Sequence, residues 1–277
     1  MVNLRKILIA TLVPFSLMSD PSPKNMTWSN SKIEETSNDL EQRLDDLAEV
    51  EVLNPGGEGA IYLVGQFHAT PVTTKNGTHY EGTVQSALVQ AQIYHILLRL
   101  RPQLIIGEGL GAGEFTLSRR VDWSRAEVER HERNLAENIE FTVRYFIANP
   151  KELAYTSLDI FYPEIKVYGA NDSKEMQNIE DIDKQQFLLG SRLSAASRDP
   201  SRFIKLSREF KNWQAEADKI HDQRSRIYMD EGIAIADQLR QPEFTIVIGN
   251  SHLLLMAQEY HGKRKLYVIR PHGVKGK

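Results

Sequence analysis

The chain has 277 residues, with 34 Lys and Arg against 37 Asp and Glu, a formal charge of -3, and no cysteine. That length accommodates one large α/β domain, and a near-balanced charge with no basic block argues against nucleic acid as a partner. Without cysteine, thiol nucleophiles, disulfides and thiolate metal sites are excluded, so any metal must sit on imidazole and carboxylate.

Arg5 and Lys6 precede an apolar run from Ile7 to Met18, which has the charged start and apolar length of a signal peptide. The run is shorter than the roughly 20 apolar residues a bilayer span requires. Residues 1–18 are therefore expected to export the chain, as a cleaved signal or as an N-terminal anchor tethering it to a membrane. The protein is then periplasmic, secreted or membrane-anchored. Residues 19–57 read as a linker with one short helix. Pro21, Pro23 and many Ser, Asn and Thr residues cannot bury enough apolar surface to order themselves, a helical pattern covers Asn38–Glu49, and Pro55-Gly56-Gly57 breaks the chain.

Residues 58–277 read as one α/β domain. Ala60–Gly65 is an apolar run bounded by glycines, as a strand buried on both faces should be. The same pattern returns at Leu104–Gly107, Lys166–Gly169, Phe244–Gly249 and Lys265–Ile269. Helical stretches separate these runs, which predicts a mostly parallel central sheet with crossover helices. The clearest crossover is Val84–Leu100, which Pro102 stops. Helical insertions at Ala126–Ile147 and Ser173–Gln241 are expected to form a cap over the carboxyl ends of the strands.

In such sheets ligands bind outside the carboxyl ends of the strands. The first strand is followed by Gly65-Gln66-Phe67-His68 and the second by Gly107-Glu108-Gly109. The third leads into Gly169-Ala170-Asn171-Asp172 and the fourth into Gly249-Asn250-Ser251-His252. His68, Glu108 and His252 are thus brought toward one point, with Asp172 and Asn250 as candidate substrate-binding residues at the same edge. Arg224 and Arg226 lie on the helix that leads into the fourth strand, where a guanidinium suits a substrate carboxylate or a developing oxyanion. His95 is expected in the core or at an interface, and His131 and His221 in solvent. The glycines from Gly107 to Gly113 lack the spacing of a nucleotide-binding turn that opens a helix, and no G-x-S-x-G elbow occurs.

The paired segments Gly65-Gln66-Phe67-His68 and Gly249-Asn250-Ser251-His252, the strand-terminal Glu108 and an arginine ahead of Met229 resemble the TraB and TIKI superfamily. Its relatives include the erythromycin-esterase-like enzymes and the ChaN-like haem-binding lipoproteins. The resemblance runs from about residue 60 to 270. It implies catalytic roles for His68, Glu108, His252 and Arg226, with Arg224 as substrate ligand or as the alternative catalytic arginine. Relatives carry the arginine four residues before the methionine, where this chain has Ser225 with an arginine on each side.

Three chemistries are compatible with these residues. In the first, His68, Glu108 and His252 hold a divalent ion (Mn, Co or Zn) that activates water for peptide or ester hydrolysis. In the second, a histidine, His68 before His252, takes a proton from water while an arginine stabilises the oxyanion of an ester, with no metal. The third is a non-catalytic protein that binds haem or another small ligand, for which Tyr228-Met229 is the nearby candidate.

Overall fold

The computed structural model describes residues 37–67, 70–74, 77–81, 83–115, 125–171, 181, 185, 188–196 and 199–274. Residues Glu34–Lys277 form one compact unit. The expected signal segment 1–18 and the Pro/Ser-rich stretch behind it lie outside the described residues, as do His68 and Asp172. No described helix is long and apolar enough to cross a membrane.

The architecture is α/β, with a mostly parallel seven-stranded sheet. Helix α1 (Ser37–Leu44) leads into β1 (Ala48–Leu53), followed by β2 (Ala60–Gln66), a separate hairpin of β3 (Thr70–Thr74) and β4 (Gly77–Glu81), and α2 (Val84–Leu100). Then come β5 (Leu104–Gly111), β6 (Gly113–Phe115), α3 (Arg125–Glu137), α4 (Ile139–Ala148), α5 (Ala154–Phe161) and β7 (Lys166–Asn171). The last elements are α6 (Pro200–Gln238), β8 (Glu243–Gly249), α7 (Asn250–Glu259) and β9 (Lys265–Pro271). The sheet order is β1-β9-β2-β8-β5-β7-β6. The five apolar runs become its five inner strands, paired in parallel, while β1 and β6 are antiparallel edges.

Local chemistry sets the element ends. Thr83 caps α2, its side chain accepting from the Ser86 N–H while Ser86 bonds back to the Thr83 N–H. The helix closes at Arg101, which takes a left-handed conformation (φ 51°) ahead of Pro102. Asp199 caps α6, with Pro200 in the first turn where a missing N–H costs nothing.

The expected helix over Asn38–Glu49 is shorter, and the supposed linker ends in a strand. In Ala48–Leu53, Glu49 and Glu51 are exposed and alternate with more buried residues, so the segment pairs with β9 as an edge strand. Of the first insertion, α4 packs on α2, and α3 packs on α4 and α5. Most of the second insertion is one 39-residue helix, roughly 58 Å long at 1.5 Å per residue. The later part of α6 packs on β5, β7 and β8 beside α7.

On that face, Ile61 and Leu63 of β2, Leu104 and Ile106 of β5, and Phe244, Ile246 and Ile248 of β8 form a buried layer under Tyr228, Met229 and Leu253. The period of two places the next residue of β5, Glu108, on the same face one step beyond the core. Gln66 stands opposite Gly249 and Gly107 opposite Val247, so the three strands deliver their ends at about one level.

Gly107 has no room for a side chain, since a Cβ there lies 2.4 Å from the ring of Tyr155, whereas one at Gly111 meets nothing within 4 Å. Gly107→Ala should therefore lower stability by about 1–3 kcal/mol through overpacking. Gly111→Ala, in the same strand, should stay within about 0.5 kcal/mol of wild type in urea unfolding.

Candidate functional site

Glu108 is the centre of the site. Its side chain is 10 % exposed and has partners on both oxygens. Oε1 accepts from Arg224 Nη2 at 3.3 Å and lies 3.5 Å from His252 Nε2. Oε2 accepts from the Gly249 N–H and, at 3.4 Å, from Gln66 Nε2. The Glu108 carbonyl accepts in turn from the buried Tyr155 hydroxyl. Gly249 is the N-cap of α7 and offers no capping side chain, and the Glu108 carboxylate accepts from its backbone N–H, the bond a capping-box glutamate makes, at the positive end of the helix. Burial by itself pushes the Glu108 carboxyl up. The hydrogen bond and charge of His252, the Arg224 guanidinium and the Gly249 N–H outweigh it and hold the group at about 2. Glu108 is thus a fixed anion near neutral pH and has no proton to donate.

Helix α6 covers the carboxylate from above. His221, Arg224, Ser225 and Tyr228 recur at intervals of three and four, so they share one face, which continues down the helix through Gly232 and Ala236 onto the sheet. Gly232 permits close packing, because a Cβ there already stands 3.3 Å from Ile246 and Phe244. Arg224 lies over the Tyr228 ring, 5.9 Å from its centroid, and the Tyr228 hydroxyl accepts from the Gly109 N–H at 3.4 Å. Gly109, with φ +83°, supplies the left-handed turn that brings that N–H round.

His252 is buried at 2 % exposure. Its Nδ1 lies 2.7 Å from Ser225 Oγ, and Ser225 Oγ lies 2.9 Å from the His221 carbonyl. The ring of His221 stacks on that of His252, with centroids 3.5 Å apart and planes 3° from parallel. His221 Nε2 bonds Ser251 Oγ at 2.9 Å. Burial, then the charges of His252 and Arg224, pull His221 down to about 4, so its ring is neutral at physiological pH.

The structure therefore brings Glu108, Arg224 and His252 together. Arg226 is elsewhere: it points away from the carboxylate and makes a two-pronged pair with Glu259 of α7, at 2.7 and 2.8 Å, beside a cavity of about 340 Å³ on the outer side of α6. Asn250 opens α7 with its Oδ1 close to the Gly65 backbone. His68 and Asp172 fall outside the described residues, although Gln66, two positions before His68, touches Glu108. Tyr228 and Met229 are buried, the former with its hydroxyl engaged by Gly109. His95 is half-buried and bonds Thr142 between α2 and α4, as an interfacial residue should. His131 is half-buried rather than solvated. His221, also expected in solvent, is half-buried in the site. Ser225, Gln66 and Tyr155 were not singled out from sequence. For Ser225 and His221 the signal is their phase with Tyr228, Gly232 and Ala236 along α6.

The described residues alone do not fit a divalent ion. Oε1 is shared with the Arg224 guanidinium, and Oε2 is engaged by Gly249 and Gln66. Nε2 of His252 is turned to a carboxylate that only accepts, so it carries a proton rather than an open lone pair. His221 cannot serve as a third ligand beside His252, because a ligating imidazole points its lone pair in the ring plane and these planes are parallel. Among the described residues, no group of three His, Cys, Asp or Glu is placed to hold a metal. Comparison with protein-family models, with curated proteins and with solved structures returned no match to this chain.

The depressed Glu108 carboxyl links stability to pH. Its folded value lies below the ordinary 4.5, so its contribution is complete above about pH 5 and is lost as the pH falls toward 2. The difference corresponds to about 3 kcal/mol. Between pH 7 and pH 2.5, wild type should lose about that much more unfolding free energy than Glu108→Gln, measured in urea. Equal losses would show that the carboxylate is not held as described.

Proposed function

We propose that the protein is a metal-independent hydrolase of an ester, peptide or other small acyl substrate, with its centre at Glu108, Arg224 and His252. The supporting observation is the arginine. Arg224 spends Nη2 on Glu108, while its side chain keeps 14 % exposure, so the guanidinium is anchored and still partly open. A guanidinium anchored on one side with donors left over is equipped to hold the oxygen of an acyl group as it becomes an oxyanion. An imidazole takes the proton from the attacking water, with His68 in that role by the resemblance to the TraB and TIKI superfamily. Glu108, always ionised, orients His252 and Arg224 and balances their charge. It works as the carboxylate partner of a histidine does, by stabilising positive charge rather than by transferring a proton.

The two arginines separate this reading from its alternatives. On a panel of ester and amide substrates, Arg224→Ala should lower kcat by about 10²–10³, the usual consequence of losing an oxyanion donor. Arg226→Ala, which loses only the exposed pair with Glu259, should leave kcat within about twofold. Activity that depends on added Mn, Co or Zn and vanishes with chelator would replace this reading by the metal-dependent one.

We also propose export, on the charged and apolar character of residues 1–18. A reporter fused behind residues 1–30 should leave the cytoplasm. Retention there would remove the localisation and leave the site untouched.

A further inference from the structure

We infer that His221 and Ser225 are positioning residues for His252, the first holding the plane of its ring and the second holding Nδ1, so that Nε2 stays turned to Glu108. The inference rests on the reading of His252 as part of a hydrolytic centre, and extends it to residues of a different element.

A histidine in the first turn of a helix, as His252 is in α7, has two side-chain torsions, and the second is broad and easily rotated. The Glu108 contact alone restrains one edge of the ring at 3.5 Å, which is long for a hydrogen bond. The restraint is completed from α6. Ser225 Oγ, at 2.7 Å, fixes the opposite nitrogen, and a half-turn of the ring would break this bond and the Glu108 contact together. The serine can serve both protonation states of His252. Its single proton goes to Nδ1 when that nitrogen is bare, and to the His221 carbonyl at 2.9 Å when Nδ1 carries its own. Rotation out of plane is opposed by His221, whose ring lies flat on His252 at 3.5 Å and 3°. His221 is itself held, by Ser251 Oγ at 2.9 Å, the residue immediately before His252.

The two positions lie one helical turn apart and cannot be interchanged. The groups that face the pair are Glu108 from β5, Arg224 and Asp222 from α6 itself, and His252 with Ser251 from α7. A neutral ring at 221 adds a flat surface without placing a second cation against His252 and Arg224. A lysine or arginine at 221 would do the reverse.

The test compares His221→Ala, His221→Leu, His221→Phe, Ser225→Ala and Ser225→Thr in the full chain. Turnover is measured on the ester and amide panel, and the ring protons of His252, assigned by His252→Ala, are followed by NMR. His221→Ala and His221→Leu should lower kcat by about 10- to 100-fold with KM within about twofold, because a misplaced catalytic group costs rate rather than binding. His221→Phe should recover most of the loss, since it restores a flat ring, and Ser225→Thr should recover the loss of Ser225→Ala. The His252 ring protons should be shifted upfield by the stacked ring in wild type and His221→Phe, and should lose that shift in His221→Ala and His221→Leu. If His221→Leu matches His221→Phe in rate, or the His252 lines do not move in His221→Ala, the positioning role is wrong. A wild-type protein that turns over no substrate would sink the hydrolase reading instead, and the NMR comparison would still decide whether His221 holds His252.

Discussion

A carboxylate taken out of water is expensive unless donors replace the solvent it loses, and the arrangement around Glu108 follows from that requirement. The side chain sits in β5 just beyond its pairing with β8, on the same face as Leu104 and Ile106, where the strand period would place another apolar residue. The fold supplies four donors to two oxygens: a guanidinium, an imidazole, a primary amide and a backbone N–H. They come from α6, α7, β2 and the β8–α7 junction. The donors that keep the carboxylate ionised are therefore contacts between elements far apart in the chain. Removing one partner of such a buried pair costs about 3–5 kcal/mol, because the other charge is then stranded.

The start of α7 shows how economical this arrangement is. A helix N-terminus leaves N–H groups without partners and carries partial positive charge, which is why serine, threonine and aspartate are common there. Here the N-cap is Gly249, and the oxygen bonded to its own N–H comes from Glu108, 141 residues earlier in the chain. A side chain at 249 would be crowded, since a Cβ stands 3.0 Å from Glu108 Oε2. The glycine that ends β8 thus makes room for the anion that completes α7.

Helix α6 ties the site to the core. Its lower face packs on the sheet through Tyr228, Gly232 and Ala236, and the same face, prolonged beyond the strand ends, presents Ser225, Arg224 and His221. The angular position of these polar groups is set by apolar packing two and three turns away, which is a stiffer support than a loop provides. Arg226, two residues from Arg224, is turned away by the pitch of the same helix and bonds α7 on the outside.

Much of this was determined by the sequence by itself. Apolar runs, four of them ending in glycine, marked all five inner strands, Pro102 marked the end of α2, and the strand-end rule singled out Glu108 and His252. These signals are local: burial on both faces demands a continuous apolar run, and a proline stops a helix at its own position. β1 was also legible in principle, as the alternation Ala-Glu-Val-Glu-Val-Leu, but an edge strand half open to water gives a weaker pattern than its neighbours and the helical reading of Asn38–Glu49 overran it. The tertiary structure alone decided which arginine meets Glu108, that His221 lies against His252 rather than in solvent, and that Gln66 and Gly249 share the carboxylate. Arg224 and Arg226 are equivalent as chemistry and differ only in the direction each takes from α6. That direction depends on how the helix rolls to bury Tyr228 and seat Gly232 against Ile246 and Phe244, a property of packing between distant segments and not of the residues near either arginine.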